Sequence, residues 1–244
     1  MRATFRVFGA LFGKLFGFFI ATSAVSTLLR LLSQSAAIAN DSSDSLYVGL
    51  GTIAPVAVQV VLGSLATAIA AMVVADFVAG ETPSVRESIR SARPLIREMF
   101  AAALLAALIC LGVSVALVFT SLIFVTLFYG PLIVAQVISL EAMPLQRALG
   151  RSRDLARGQW LRVLPYLFCI ALGVGLAGYF GLYPVFLALR GAPDGFQVLV
   201  FSAARVVLEA LGGSLFAVAA AILYLDLRAR KEDFGLQELR AERA

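Results

Sequence analysis

The chain has 244 residues, of which 61% are hydrophobic and 14% charged, and its formal net charge at pH 7 is +5. Soluble globular domains carry about 25% charged residues, so this deficit, with a mean hydropathy of +0.93, indicates an integral membrane protein. The chain has no histidine, which excludes histidine-dependent triads, histidine-ligated metals and histidine proton relays.

Apolar stretches long enough to cross a bilayer occur repeatedly along the chain, since a crossing helix needs roughly 20 apolar residues. We predict an all-α, polytopic membrane protein with one six-helix domain over residues 1–244. The predicted crossings cover residues 15–37, 53–78, 99–119, 121–140, 163–188 and 205–225. Thr22-Ser23-Ala24 resembles a signal-peptide cleavage site, but the apolar run continues to Ala37, so we expect the first crossing to be retained.

The basic residues predict the orientation of the chain. Of the 20 Lys and Arg residues, 17 fall in the N-terminal segment, two internal polar loops and the C-terminal tail. Because basic segments mark the cytoplasmic side, they report orientation rather than a nucleic-acid partner, and we expect both termini in the cytoplasm. An even number of crossings agrees with this. The Arg-rich, Lys-poor, Ala-rich composition favours a bacterial source, hence the bacterial inner membrane.

Each internal basic loop begins with a proline and then repeats arginine at spacing i, i+4. Pro83 precedes Arg86 and Arg90, and Pro144 precedes Arg147 and Arg151. Because proline suits the first turn of a helix, we predict a short amphipathic helix at the membrane surface in each loop. The second and fourth crossings, each with its following loop, then form the two copies of a weak internal repeat.

Basic residues of the loops and tail form what we name the cytoplasmic basic rim. Its members are Arg86, Arg90, Arg147, Arg151, Arg157, Arg228, Arg230 and Lys231. Such residues bind anionic lipid headgroups with about 1 kcal/mol each, which makes the rim a candidate site for lipid or a partner protein. The alternative is that these charges only set the topology. We expect Asp226 to pair with a nearby arginine, such as Arg228 or Arg230.

The first helix, before and into the first crossing, carries a candidate helix-packing face with a ridge of small residues. The face comprises Phe5, Phe8, Gly9, Phe12, Gly13, Phe16 and Gly17, and the phenylalanine series continues to Phe19. One interpretation is docking on a partner through the glycines. The other is packing on the chain's own helices, with the phenylalanines toward lipid.

Three charged residues are candidates for an intramembrane polar site. Arg205 and Glu209 are spaced i, i+4 near the start of the last apolar stretch. Charges inside a membrane segment indicate function by default, but this pair can also neutralise itself on an interfacial turn. Arg30 in the first crossing either extends outward or pairs with Glu209.

No catalytic, cofactor or metal site is recognisable, and we lean against an enzyme. The glycines over residues 173–178 match G-x-G-x-x-G, but no strand precedes them, so we expect close helix packing there. Cys110 and Cys169 both fall in apolar segments, and we expect two small buried hydrophobic side chains without a disulfide.

Three stretches together carry a family resemblance. They are residues 78–85 (VAGETPSV), 145–158 (LQRALGRSRDLARG) and 223–232 (LYLDLRARKE). In this order they resemble the bacterial family named after the glycerophosphoryl diester phosphodiesterase membrane domain. The resemblance implies a helical membrane domain and a membrane location. It implies no hydrolysis, because we expect the six crossings to use nearly the whole chain.

The leading functional hypothesis is a non-catalytic membrane scaffold. Its basic rim would bind anionic lipid or a partner membrane protein. The alternative is a transporter or permease for a small or lipidic substrate, which the possible repeat, the glycine-rich fifth crossing and the Arg205/Glu209 pair favour. A mid-membrane cavity that contains Arg30, Arg205 or Glu209 would favour transport.

Overall fold

The computed structural model describes residues 2–39, 45–105, 133–232 and 234–243. Within these ranges all regular secondary structure is helical. The α-helices are α1 (Arg2–Ala39), α2 (Ser45–Ala79), α3 (Val85–Ala92), α4 (Val134–Glu141), α5 (Leu145–Ala156), α6 (Trp160–Ala188), α7 (Asp194–Glu232) and α8 (Leu236–Arg243). A 3-10 turn over Arg93–Leu95 leads into helical residues 96–105.

Three helical segments in the described ranges are long and apolar enough to cross a membrane. They are Thr4–Leu32 of α1, Val61–Ala79 of α2 and Gly195–Glu232 of α7, and α6 contains a shorter apolar segment, Leu172–Ala188. These segments confirm an all-helical chain suited to a membrane. The predicted crossings at 99–119 and 121–140 lie largely outside the described residues, so six crossings stay a prediction.

At both ends of the chain a helix extends beyond the predicted crossing. Helix α1 begins at Arg2, before the crossing predicted from residue 15, and α7 begins at Asp194, before the crossing predicted from residue 205. Neither extension contains a proline, so nothing stops the helix at the edge of the apolar run. Charged residues at these edges therefore lie on helices rather than in loops.

Helix α7 is the central helix of the described bundle and packs against α1, α2 and α6. Small residues dominate the contact between α2 and α7, and they let two helix backbones approach closely. The buried alanines are Ala66, Ala70, Ala71, Ala210, Ala217 and Ala221. From α1, Leu11, Leu15 and Phe19 pack into the same core. These three share one helix face, since they are spaced four residues apart.

Two adjacent glycines of α7 make its closest approaches to neighbouring helices. A Cβ at Gly213 would lie 2.8 Å from Cδ1 of Phe19, and one at Gly212 would overlap the side chain of Val174 on α6. By contrast, Cβ atoms at Gly173, Gly175 and Gly178 would meet no described atom within 4 Å. Close packing of these glycines is therefore not found against the described helices, and Gly175 instead lines a groove together with Gly212 and Gly213 of α7.

Each of the two predicted surface helices is present, but proline does not occupy its first turn. Helix α3 follows the N-cap Ser84, one residue after Pro83, and Pro144 is itself the N-cap of α5. At Ser84 the hydroxyl accepts a hydrogen bond from the Glu87 N–H (3.4 Å), which a proline cannot provide. The preceding helices end in left-handed residues, Gly80 at φ 87° and Ala142 at φ 51°.

Replacing Gly213 with alanine tests the central position of α7. We expect Gly213→Ala to lower the free energy of unfolding by about 1–3 kcal/mol, because the buried Phe19 ring must shift. The matched control is Gly63→Ala on α2, where an added Cβ meets no described atom. Thermal unfolding in mild detergent measures both variants. Equal losses in the two variants would contradict the packing described above.

Candidate functional site

The basic surface is built on the two short helices α3 and α5. Each helix packs on the bundle through small or apolar side chains, and its opposite face carries arginine. Buried residues are Ser88 and Ala92 of α3, with Ala148, Ser152, Leu155 and Ala156 of α5. The carboxylate of Glu98 accepts a hydrogen bond from the Leu145 N–H (2.9 Å) and so caps the start of α5.

These two helices and the end of α7 lie at the same end of the bundle. Helix α3 follows the end of α2, which contacts α8 just beyond α7. The ammonium of Lys231, near the end of α7, donates to the backbone carbonyl of Asp154 on α5. On the N-terminal side, Lys14 donates to the carbonyl of Pro83 before α3 (2.6 Å).

Four arginines of the predicted basic rim project from this surface with their charge uncompensated. Arg86 and Arg90 of α3, Arg147 of α5 and Arg157 just after it are all exposed. None of them makes an ion pair with any residue in the described ranges. These four are therefore available to an external anion.

Two other rim residues, Arg151 and Arg228, are engaged inside the protein by what we name the Glu141 cluster. The cluster comprises Glu141, Arg151, Tyr224, Arg228 and Glu232. Only 6% of the Glu141 side chain is exposed. Its carboxylate accepts hydrogen bonds from the Tyr224 hydroxyl (2.6 Å) and from Arg151 Nε (3.0 Å), and Arg228 Nε lies 4.0 Å away.

Glu232 completes the cluster from the last turn of α7. Its carboxylate pairs with the guanidinium of Arg151 and lies 3.2 Å from Arg228 Nε. The hydrogen bond to Glu232, reinforced by Glu141, raises the pKa of Arg151 despite its partial burial. Two carboxylates thus balance two guanidiniums, which offsets the cost of removing these charges from water. The guanidinium of Arg228 also lies 3.7 Å from the ring centroid of Phe234.

The remaining rim residues differ from both groups. Arg230 pairs with Asp226 one turn earlier, at 3.0 Å, which confirms the pairing expected for that carboxylate. The rim predicted from sequence is therefore not uniform. Arg151 and Arg228 pair within the Glu141 cluster, Arg230 pairs at the surface of α7, and the four outward arginines make no described ion pair.

Away from the basic surface lie the three predicted intramembrane residues, Arg30, Arg205 and Glu209, which together with Gln59 we name the far-end cluster. Arg205 Nε donates to Glu209 Oε1 at 2.5 Å along α7, as the i, i+4 spacing allows. Arg30 Nη2 of α1 donates to Gln59 Oε1 of α2 at 3.2 Å. Nothing in the sequence around Gln59 predicted its contact with Arg30.

The phenylalanine and glycine face of α1 points partly outward. Phe5 is 60% exposed and Phe12 37%, whereas Phe19 is buried. Cβ atoms at Gly9, Gly13 and Gly17 would meet no described atom within 4 Å. The glycine ridge is thus not used against the described helices, because Leu11 and Leu15 occupy the core face instead. Phe8 and Phe16 are intermediate in exposure.

A groove of about 480 Å³ lies between α1, α2, α6 and α7. Its lining is mostly apolar and comprises Phe19, Gly63, Ser64, Thr67, Val174, Gly175, Gly212, Gly213 and Phe216. None of Arg30, Arg205 and Glu209 belongs to that lining. The charged residues of the far-end cluster are therefore separate from the groove.

Two further observations concern metals and thiols. In the described part of the chain, no group of three or more His, Cys, Asp and Glu side chains is placed to hold a metal ion. Cys169 is exposed, so the expectation that it is buried is wrong: it sits on a face of α6 that no described helix covers. Cys110 lies outside the described residues.

Comparison with known proteins adds no relative. No family model, curated protein or solved structure matches this chain. The family resemblance of residues 78–85, 145–158 and 223–232 therefore stays a prediction.

The Glu141 cluster predicts that two neighbouring arginines of α7 differ in their effect on stability. Arg228→Gln leaves the buried Glu141 carboxylate with fewer partners, so we expect a loss of about 2–4 kcal/mol in unfolding free energy. Arg230→Gln removes only an exposed ion pair, and we expect a loss below about 1 kcal/mol. Unfolding in detergent measures both variants. A smaller effect of Arg228→Gln than of Arg230→Gln would contradict the assignment.

Proposed function

We propose that this chain is a non-catalytic scaffold of the bacterial inner membrane with six crossings and both termini in the cytoplasm. Its basic cytoplasmic surface binds anionic lipid headgroups and, through them or directly, a partner membrane protein. The observation that carries the proposal is the outward set of arginines, Arg86, Arg90, Arg147 and Arg157, which have no carboxylate partner in the described ranges.

The charge balance of this end of the bundle supports the proposal. Glu141 and Glu232 are already engaged by Arg151 and Arg228, so they do not neutralise the outward set. Four basic residues near an anionic membrane contribute roughly 4 kcal/mol together. Short helices that bury small residues and expose arginine suit a position parallel to the headgroup layer.

The transporter alternative receives less support. Transport sites in membrane bundles are typically formed by interrupted helices that place polar groups at the midplane. Helix α6 runs without interruption through Pro165 and Pro184. The groove between α1, α2, α6 and α7 offers only the hydroxyls of Ser64 and Thr67 as polar side chains.

The test replaces the four outward arginines together. We expect Arg86→Gln, Arg90→Gln, Arg147→Gln and Arg157→Gln, combined, to reduce co-purifying anionic phospholipid several-fold, because the cationic surface is lost. The measurement is mass spectrometry of lipids retained after purification in mild detergent. Equal retention of anionic lipid by the variant and the parent protein would overturn the proposal.

The matched control replaces the same four arginines with lysine. Lysine keeps the positive charge and still binds phosphate as a point charge, so we expect most of the anionic lipid to be retained. Because positive charges also set topology, accessibility of a cysteine placed at the C-terminus must be the same in both variants. If the topology is the same, a difference in retained anionic lipid between the variants measures lipid binding.

A further inference from the structure

In the outer half of the Glu141 cluster, two guanidinium groups converge on one carboxylate. One oxygen of Glu232 accepts from Arg151 Nη1 of α5, and the other lies 3.2 Å from Arg228 Nε of α7. The two arginines come from different helices, so the folded bundle itself sets their spacing. Paired N–H donors from guanidinium groups match the oxygens of a carboxylate and equally those of a phosphate.

The two carboxylates of the cluster differ in how firmly they are held. The Glu141 side chain is 6% exposed and also accepts from the Tyr224 hydroxyl at 2.6 Å. The Glu232 side chain is 29% exposed. Exposed ion pairs contribute little to stability, whereas loss of a partner from a buried carboxylate is costly. Glu232 is therefore the carboxylate that another anion can replace.

The position of Glu232 on its helix makes such a replacement easier. It is the last residue of α7, where the negative end of the helix dipole disfavours a carboxylate. The final residues of a helix also fray readily. Because the preceding Lys231 donates to the Asp154 carbonyl of α5, the rest of α7 stays in place when Glu232 withdraws from the arginines.

The segment that follows α7 covers one side of the cluster. The ring centroid of Phe234 lies 3.7 Å from the guanidinium carbon of Arg228, whose side chain is only 10% exposed. Leu239 of α8 is buried against the end of α2 and anchors this segment. The Arg151 side chain is 26% exposed, so the surroundings reach the cluster through Arg151 and Glu232.

We propose that Arg151 and Arg228 form a binding site for a phosphate group and that Glu232 occupies this site as an internal competitor. A phosphodiester carries one negative charge, so it replaces Glu232 and keeps the charge balance with Glu141. The contact of Glu232 with the two arginines is thus autoinhibitory. This inference rests on the proposed function in that the basic surface faces an anionic membrane, but it uses none of the four outward arginines.

The experiment uses the full chain carrying the four arginine-to-glutamine substitutions of the outward set, so that those arginines do not contribute. Short-chain phosphatidylglycerol is titrated in a neutral detergent, and the rise of each variant's thermal unfolding midpoint above its own ligand-free value gives the apparent affinity. We expect Glu232→Gln to bind about fivefold more tightly, because the competing carboxylate is lost. Unchanged or weaker binding would show that Glu232 is only structural and would overturn the proposal.

The matched control is Asp226→Asn, which removes the same charge from the same helix. It releases Arg230, which pairs with Asp226 at 3.0 Å, but it creates no converging pair of guanidiniums. We expect a gain in affinity below about twofold from this control. An equal gain in both variants would mean that net charge alone attracts the ligand, and the site would be wrong.

A second variant tests whether Arg151 contacts the ligand. Arg151→Lys keeps a positive charge beside Glu141 but loses the paired donors. Added to Glu232→Gln, it should abolish most of the gain in affinity. If the double variant folds and binds as tightly as Glu232→Gln alone, Arg151 is not a ligand residue and the proposal fails.

Two further titrations of Glu232→Gln identify the source of the anion. A gain with phosphatidylglycerol but not with inorganic phosphate assigns the site to a lipid headgroup, and a gain with both assigns it to a free phosphate group. Sodium chloride at equal ionic strength supplies an anion without oxygen acceptors. If chloride reproduces the gain, the site does not recognise phosphate and the proposal is wrong. The function proposed above is tested separately, by the lipid lost when the outward set is replaced.

Discussion

The carboxylate of Glu141 constrains the whole end of the bundle at which the basic residues collect. A carboxylate that is 6% exposed is stable only if nearby groups replace the water it has lost. The Tyr224 hydroxyl and the Arg151 guanidinium supply that replacement from α7 and α5. Because these partners come from different helices, satisfying one buried charge fixes the relative positions of α4, α5 and α7.

The need of the buried Glu141 carboxylate for partners separates the arginines that it engages from those that face outward. Arg151 and Arg228 form ion pairs with Glu141 and Glu232, so their charge is compensated within the protein. No comparable carboxylate in the described ranges meets the arginines on the outer faces of α3 and α5. A surface that holds its shape through one set of ion pairs can therefore leave a second set of charges exposed.

Sequence patterns predicted the helical class, the two short surface helices and a pair between Asp226 and a nearby arginine, such as Arg228 or Arg230. They did not distinguish Arg228 from Arg230, because both lie in one basic run. The spacing of Tyr224, Arg228 and Glu232 on one helix face was a usable signal, since i, i+4 neighbours align. The partner Glu141 could not be found this way, because its contact with Tyr224 spans 83 residues of sequence.

The carboxylate and guanidinium groups at the two ends of the bundle are arranged differently. In the Glu141 cluster carboxylates and guanidiniums are equal in number, and burial makes this balance necessary. At the far end, the described contacts are the pair of Arg205 with Glu209 along α7 and the hydrogen bond from Arg30 of α1 to Gln59 of α2. The partners of each arginine, rather than the number of arginines in a loop, therefore decide which guanidinium groups are held inside the protein.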